Sequence, residues 1–158
     1  MEIKIVSGKG DGVTELAAFD KALFVAGIAN YNLLPLSSVI PAHSEIKDYG
    51  SLEYNDSEYG YRLYLVMAEK IESRIGKVAV AGIGWVKHPN NDNSGLFVEF
   101  GGESVEEVED KITKTLTSMT SYRPEECGEI KMKITEITCE DKPVCALSAA
   151  VYKSEGWE

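Results

Sequence analysis

The 158-residue chain has little with which to cross-link itself or hold a metal. Its three cysteines, Cys127, Cys139 and Cys145, form no CxxC pair, and its two histidines, His43 and His88, lie in loop-like stretches near prolines, outside any HExxH spacing. An odd, scattered set of thiols points to neither a disulfide framework nor a zinc cluster, so the cysteines read as structural and the histidines as surface residues. No metal is expected, since a site would have to be assembled from scattered acids. A GxSxG nucleophile elbow is missing too. Positive charge is scarce: 16 Lys and Arg against 26 Asp and Glu give a net charge of −10. That balance argues against nucleic acid, which wants a basic stripe, and suits a cationic substrate or plain solubility. No apolar run approaches the length of a membrane span, and "MEIKIVSGKG" lacks the basic and apolar regions of a signal peptide. The expectation is a cytoplasmic protein with no membrane partner.

At this length, with 44% hydrophobic and 27% charged residues, one domain over 1–158 is expected. "MEIKIVSG" alternates like a strand, and "GKGDG", with Gly8, Gly10 and Gly12, reads as a flexible loop that lacks the spacing of a phosphate-binding motif. From Thr14, a plausible N-cap, the spacing of Leu16, Phe19 and Leu23 predicts one buried helical face. Asp20 falls on that face, either as a boundary residue reaching solvent or as part of a site. Gly27 and Asn30 mark the helix exit, and Pro35 confines the next extended segment to an edge or a bulge.

Residues 44–58 are polar and read as a surface excursion, whereas "YGYRLYLVMAEK" and "GKVAVAGIGWVK" read as strands and "KHPNNDNSG" as a loop. In the strand "LFVEFGG", alternation puts Phe97 and Glu99 on one face and Leu96, Val98 and Phe100 on the other. A carboxylate between two apolar faces would have a raised pKa suited to proton donation, although an edge-strand ion pair fits the pattern equally. Ser104 and Glu107 open a second helix with the stripe Val105, Val108, Ile112, Leu116 and Met119, and "EIKMKITEIT" and "VCALSAAVYK" close the chain as strands. The pattern is α+β, with helices packed on sheet faces.

One stretch resists this reading. "NLLPLSSVIP" puts Ser37 and Ser38 between Leu33, Leu34, Leu36 and Val39, Ile40, where each hydroxyl must find a partner or cost stability.

Taken together, "AAFDKALFVAGIANYNLLPLSSVIP" (17–41) and "GLFVEFGG" (95–102) resemble the pyruvoyl-dependent arginine decarboxylases. The similarity runs over most of the chain and is weakest from Asp48 to Glu58. It implies a layered αββα sandwich, mainly antiparallel, with helices on the outer faces. It also implies a homotrimer of processed αβ units with active sites between neighbouring subunits. The Ser37–Ser38 bond would be a self-cleavage site: the Ser38 hydroxyl attacks the preceding carbonyl, and Ser38 ends as a covalent pyruvoyl group. Residues 1–37 become the β chain and 38–158 the α chain.

By the same resemblance, the pyruvoyl ketone takes the place of pyridoxal phosphate, forming a Schiff base with L-arginine and accepting the electrons released as CO₂ leaves and agmatine forms for polyamine synthesis. Glu99 aligns with the proton donor, Asp20 with the acid that holds the guanidinium, and Asn32 with a residue of self-processing that hydrogen-bonds near the Ser37 carbonyl. Gly101 stands where members of the family often carry a second acid. The alternatives are a pyruvoyl decarboxylase for another amino acid and an unprocessed binding or regulatory homologue.

Overall fold

A computed structural model describes residues 1–158. The elements follow as β1 (Glu2–Asp11), α1 (Glu15–Ala26), β2 (Asn32–Pro35), β3 (Val39–Ile40), β4 (Glu45–Gly50), β5 (Arg62–Glu72), β6 (Val78–His88), β7 (Ser94–Gly102), α2 (Val105–Ser121), β8 (Lys131–Thr138) and β9 (Val144–Glu155). A 3₁₀ turn at Asp56–Glu58 precedes β5. The strands form a five-stranded sheet, ordered β2-β5-β9-β1-β4, and a four-stranded sheet, ordered β3-β7-β6-β8. The smaller sheet is antiparallel throughout. In the larger one only the two edge strands, β2 against β5 and β4 against β1, pair in parallel.

Three apolar seams stack these elements into layers. Val6, Leu65, Leu147 and Ala149 meet α1 on the outer side of the five-stranded sheet. Ile5, Val66, Ile83, Phe97 and Ala146 fill the space between the sheets. Val80, Leu96 and Val98 meet Val108, Ile112 and Leu116 of α2 on the far side. The order is therefore α, β, β, α, and alternation along β7 sends Phe97 between the sheets while Leu96 and Val98 turn to α2. No helix is long and apolar enough to cross a membrane.

Several local expectations hold. Thr14 caps α1 through its side chain, Gly27 ends it at φ 84°, and Pro35 lies on an edge strand. Ser104 Oγ accepts the Glu107 N–H at 3.1 Å, while the Glu107 carboxylate reaches back to the N–H of Glu103 at 2.8 Å, one residue outside the usual box. Cys139 and Cys145 are buried and Cys127 partly so, all as free thiols.

Four expectations need correction. The glycines of "GKGDG" do not form a loop: β1 runs through Gly8 and Gly10 to Asp11. Their bareness serves packing, because a Cβ on Gly8 would lie 2.0 Å from the carbonyl oxygen of Ala22 in α1. For the same reason the buried face of α1 is built on its small residues, Ala18, Ala22 and Ala26; of the predicted face Leu23 is buried and Phe19 packs beside it, but Leu16 is 74% exposed. The 44–58 segment is not wholly a surface excursion, since Glu45–Gly50 joins the sheet as β4 beside β1. His88 is buried, because β6 continues through it and residues 123–128 fold over the end, Gly128 N–H donating to the Lys87 carbonyl at 2.9 Å. Its Nδ1 lies 3.6 Å from Cys127 Sγ.

The turn after β5 holds a well-bonded carboxylate. Glu72 is buried and accepts Nε and Nη2 of Arg74, each at 2.9 Å, together with the N–H groups of Ser73 and Arg74. The Arg74 guanidinium and these backbone donors hold its pKa down at about 2. A depressed carboxylate adds stability above its unfolded pKa and loses it as pH falls toward the folded value. Because Arg74 is open to solvent, the gain is discounted to about 1 kcal/mol. Glu72→Gln is expected to melt about 2–4 °C lower at pH 7. Thermal scans of both proteins should converge as the pH drops from about 4.5 toward about 2.

Candidate active site where the chain changes sheets

The two serines mark the point at which the chain leaves one sheet for the other. Leu36 N–H still donates to the Leu65 carbonyl of β5 at 2.8 Å, prolonging β2 in the larger sheet. Two residues later, the Ser38 carbonyl accepts the N–H of Phe97 in β7 at 2.8 Å, in the smaller one. Ser37 lies between and makes no backbone hydrogen bond of its own. Its carbonyl is thus held by its neighbours alone, with both lone pairs unused by the chain.

Ser38 is buried and adopts φ 81°, in the left-handed region. A side chain with a Cβ pays about 1–2 kcal/mol there, and such a conformation persists only where the surroundings over-determine it. Three bonds do so. Phe97 holds the carbonyl, the Ser38 hydroxyl donates to Glu99 Oε2 at 3.1 Å, and the Tyr152 hydroxyl donates to the next carbonyl, that of Val39, at 2.8 Å. The hydroxyl that looked misplaced in an apolar segment therefore has a carboxylate partner.

Glu99 follows Phe97 on the inter-sheet face of β7, as alternation requires. It is not enclosed between two apolar faces as the sequence pattern suggested but is exposed, because β7 reaches the rim of the sheets there. The protein packed on its inner side still raises its pKa, against a smaller opposing effect of the Ser38 hydrogen bond. No Lys or Arg pairs with it, so the edge ion pair left open by the sequence pattern does not form. Gly101, two residues on, has no room for a side chain, since a Cβ would come within 2.9 Å of the Glu69 carbonyl oxygen.

Asp20 and Asn32 lie apart from this pair within one chain. Asp20 is exposed on α1, on the far side of the five-stranded sheet, and makes no hydrogen bond or salt bridge. Asn32 opens β2, roughly 16 Å of extended strand before Ser37, and its amide donates to the Gly60 carbonyl at 2.8 Å. Beside Tyr152, a concavity of about 670 Å³ is walled by Tyr49, Glu53, Tyr54 and Glu58, from the segment where the sequence likeness is weakest. Nowhere do three or more His, Cys, Asp or Glu side chains converge as a metal-ligand set.

The sequence compares closely with proteins of one kind. A family profile described as "Pyruvoyl-dependent arginine decarboxylase (PvlArgDC)" matches residues 2–156. This chain belongs to the pyruvoyl-dependent arginine decarboxylase family. A relative of that name from Thermococcus kodakarensis is 36% identical over 148 residues, covering 93% of this chain and 91% of its own. One from Pyrococcus abyssi is 37% identical with the same coverage, and one from Methanothermobacter thermautotrophicus is 32% identical over 155 residues, 96% of each chain.

Membership in the pyruvoyl-dependent arginine decarboxylase family implies a pyruvoyl group, and the residues present fit one. A buried serine hydroxyl touches a carboxylate beside an unpaired carbonyl, and the carbonyl of residue 38 is held independently of the preceding bond. The structure brings the candidates Ser38 and Glu99 together and adds beside them Tyr152 and the Phe97 N–H, which the sequence pattern did not single out. Alternation along "CALSAAVYK" carried a signal for Tyr152, which shares a face with Ala146, Ser148 and Ala150.

Proposed function

We propose that this chain cuts itself between Ser37 and Ser38 and that the processed protein decarboxylates L-arginine to agmatine and CO₂. The observation that carries the reading is Ser38 itself, held at positive φ with its hydroxyl on Glu99. Glu99 takes the hydroxyl proton, Oγ bonds to the Ser37 carbonyl carbon, and the C–N bond breaks as the Ser38 nitrogen is protonated. The amide has then become an ester. Loss of the Ser38 Cα proton expels the Ser37 carboxylate and leaves dehydroalanine, which takes up water and releases ammonia to give the pyruvoyl group.

That group supplies a ketone to capture the substrate's α-amine and an electron sink for the departing carboxylate's electrons. The chain's own part is to orient and to move protons. Glu99, with its raised pKa, is placed to return a proton to the substrate's α-carbon. Asp20 and Asn32 serve the Ser38 site of a neighbouring protomer in a cytoplasmic homotrimer, Asp20 gripping the guanidinium and Asn32 donating toward the Ser37 carbonyl. In support, Leu16, Asp20 and Phe24 form one line on α1, and Leu16 and Phe24 are both exposed large apolar residues on a surface with no cover in one chain.

The test is the intact mass of the purified protein under denaturing conditions, followed by CO₂ release from a panel of amino acids. Fragments 1–37 and 38–158, the latter with pyruvoyl for serine, and a preference for arginine are the expected result. An uncut chain after prolonged warm incubation would move the reading to a binding homologue. Cleavage with a preference for another amino acid would keep the chemistry and overturn the substrate.

A further inference from the structure

We propose that Tyr152 is a positioning residue that fastens the residue-38 end of the chain during cleavage and after it. The inference rests on the processing reading above and concerns a side chain with no part in its proton transfers. Tyr152 lies on β9 of the larger sheet, and its hydroxyl crosses to the smaller sheet to donate to the Val39 carbonyl at 2.8 Å. Its ring meets Phe97 edge-on at 6.2 Å between centroids, and Phe97 in turn lies 5.9 Å from Trp85. Phe97 is also the residue whose N–H holds the Ser38 carbonyl. Ring packing thus fixes the direction of the Tyr152 hydroxyl relative to the very strand that carries Phe97 and Glu99.

Such an anchor has a purpose because β3 is so short. It has two residues, Val39 paired with Leu96 and Ile40 with Gly95. Once the Ser37–Ser38 bond is gone, residue 38 is a chain terminus, and termini fray unless tied down. The Val39 side chain gives little hold, being 60% exposed. Beyond the Ile40–Gly95 pairing, two bonds hold residues 38 and 39 themselves: Phe97 N–H to the carbonyl of residue 38, and Tyr152 O–H to the carbonyl of residue 39. Neither carbonyl is the scissile one, so both bonds survive the chemistry. A phenol is protonated at neutral pH in any case, and burial, with an added push from the Glu99 charge, raises the Tyr152 pKa further.

The experiment compares wild type, Tyr152→Phe and, as a control, Tyr122→Phe, whose ring is exposed at the end of α2. Uncut chain is followed by intact mass as it processes, with hydroxylamine added to parallel samples to trap ester. Processed protein is then assayed for kcat and KM, and all three are melted. Tyr152→Phe keeps the ring, so it should melt within about 2 °C of wild type while cleaving about threefold to tenfold more slowly and losing kcat by a similar factor at unchanged KM. The control should match wild type. Wild-type rates in Tyr152→Phe overturn the proposal. Slower cleavage with both a lower melting point and a raised KM also overturns it, because a general packing defect then accounts for the loss. A wild-type chain that never cleaves overturns the processing reading itself and the role of Tyr152 with it.

Discussion

Ser38→Ala is expected to yield a folded, uncut chain of 17.3 kDa that releases no CO₂ from arginine above background. The substitution removes the one atom that can attack the Ser37 carbonyl, and nothing else near the crossing offers a replacement: Ser37 has a hydroxyl, but its geometry toward its own carbonyl gives no route to breaking the following bond. Folding should survive. Alanine meets the same backbone penalty at φ 81° as serine does, and the Phe97 and Tyr152 bonds to the carbonyls of residues 38 and 39 remain. Intact mass and a melting curve on one sample check both halves. A Ser38→Ala protein with activity would sink the assignment of Ser38 as the source of the pyruvoyl group.

Glu99→Gln should separate the two reactions. Glutamine keeps the size of the side chain and can still accept the Ser38 hydroxyl hydrogen bond, so cleavage is slowed but proceeds. Its amide has no acidic proton to return to carbon, and general acid catalysis contributes about 10²–10⁴-fold. The processed variant should therefore lose kcat by that factor with little change in KM, because the contact with arginine's guanidinium is assigned to a different residue. The quantity to measure is turnover per cut chain, with the processed fraction taken from intact mass. Loss of less than tenfold would mean that the proton comes from elsewhere.

Much of the fold was legible because its signals are local. Thr14, Gly27, Pro35 and Ser104 each announce a boundary through their own backbone chemistry, and the alternation in "LFVEF" sorted the side chains of β7 into the two faces that the layers then separate. The misreadings came where two distant segments decide together. Gly8 looks like a loop residue until the Ala22 carbonyl is placed against it, and Ala18, Ala22 and Ala26 look less core-like than Leu16 until the bare strand beneath them is known. β4 carries polar residues because it is an edge strand, and the parallel pairing with β1 that makes it a strand at all leaves no local mark.

The site divides in the same way. The apolar setting of Ser38 and Glu99 showed each as an oddity, and the fold brings the two within 3.1 Å across 61 positions of sequence. Helical spacing left Asp20 as either a boundary residue or part of a site, and within one chain it is exposed at the edge of the face that Phe19 and Leu23 bury. Asn32 carried no signal beyond its place in the family pattern. In the single chain its amide donates to the Gly60 carbonyl, and the proposed role beside the Ser37 carbonyl is one toward a neighbouring protomer.

The place of the first 37 residues in the layers gives the proposed cut a further meaning. β1 is hydrogen-bonded on both flanks, to β9 and to β4, while α1 covers the sheet and β2 closes its opposite edge against β5. A nick at Ser37–Ser38 would leave a fragment woven into the middle of its partner, with no disulfide needed to retain it. Before the cut, such a molecule refolds as a single chain. Afterwards its native state is a complex of two peptides, so its recovery from denaturation becomes a second-order encounter whose success depends on concentration. Maturation would thereby exchange a protein that can find its fold alone for one that holds it chiefly by never letting go.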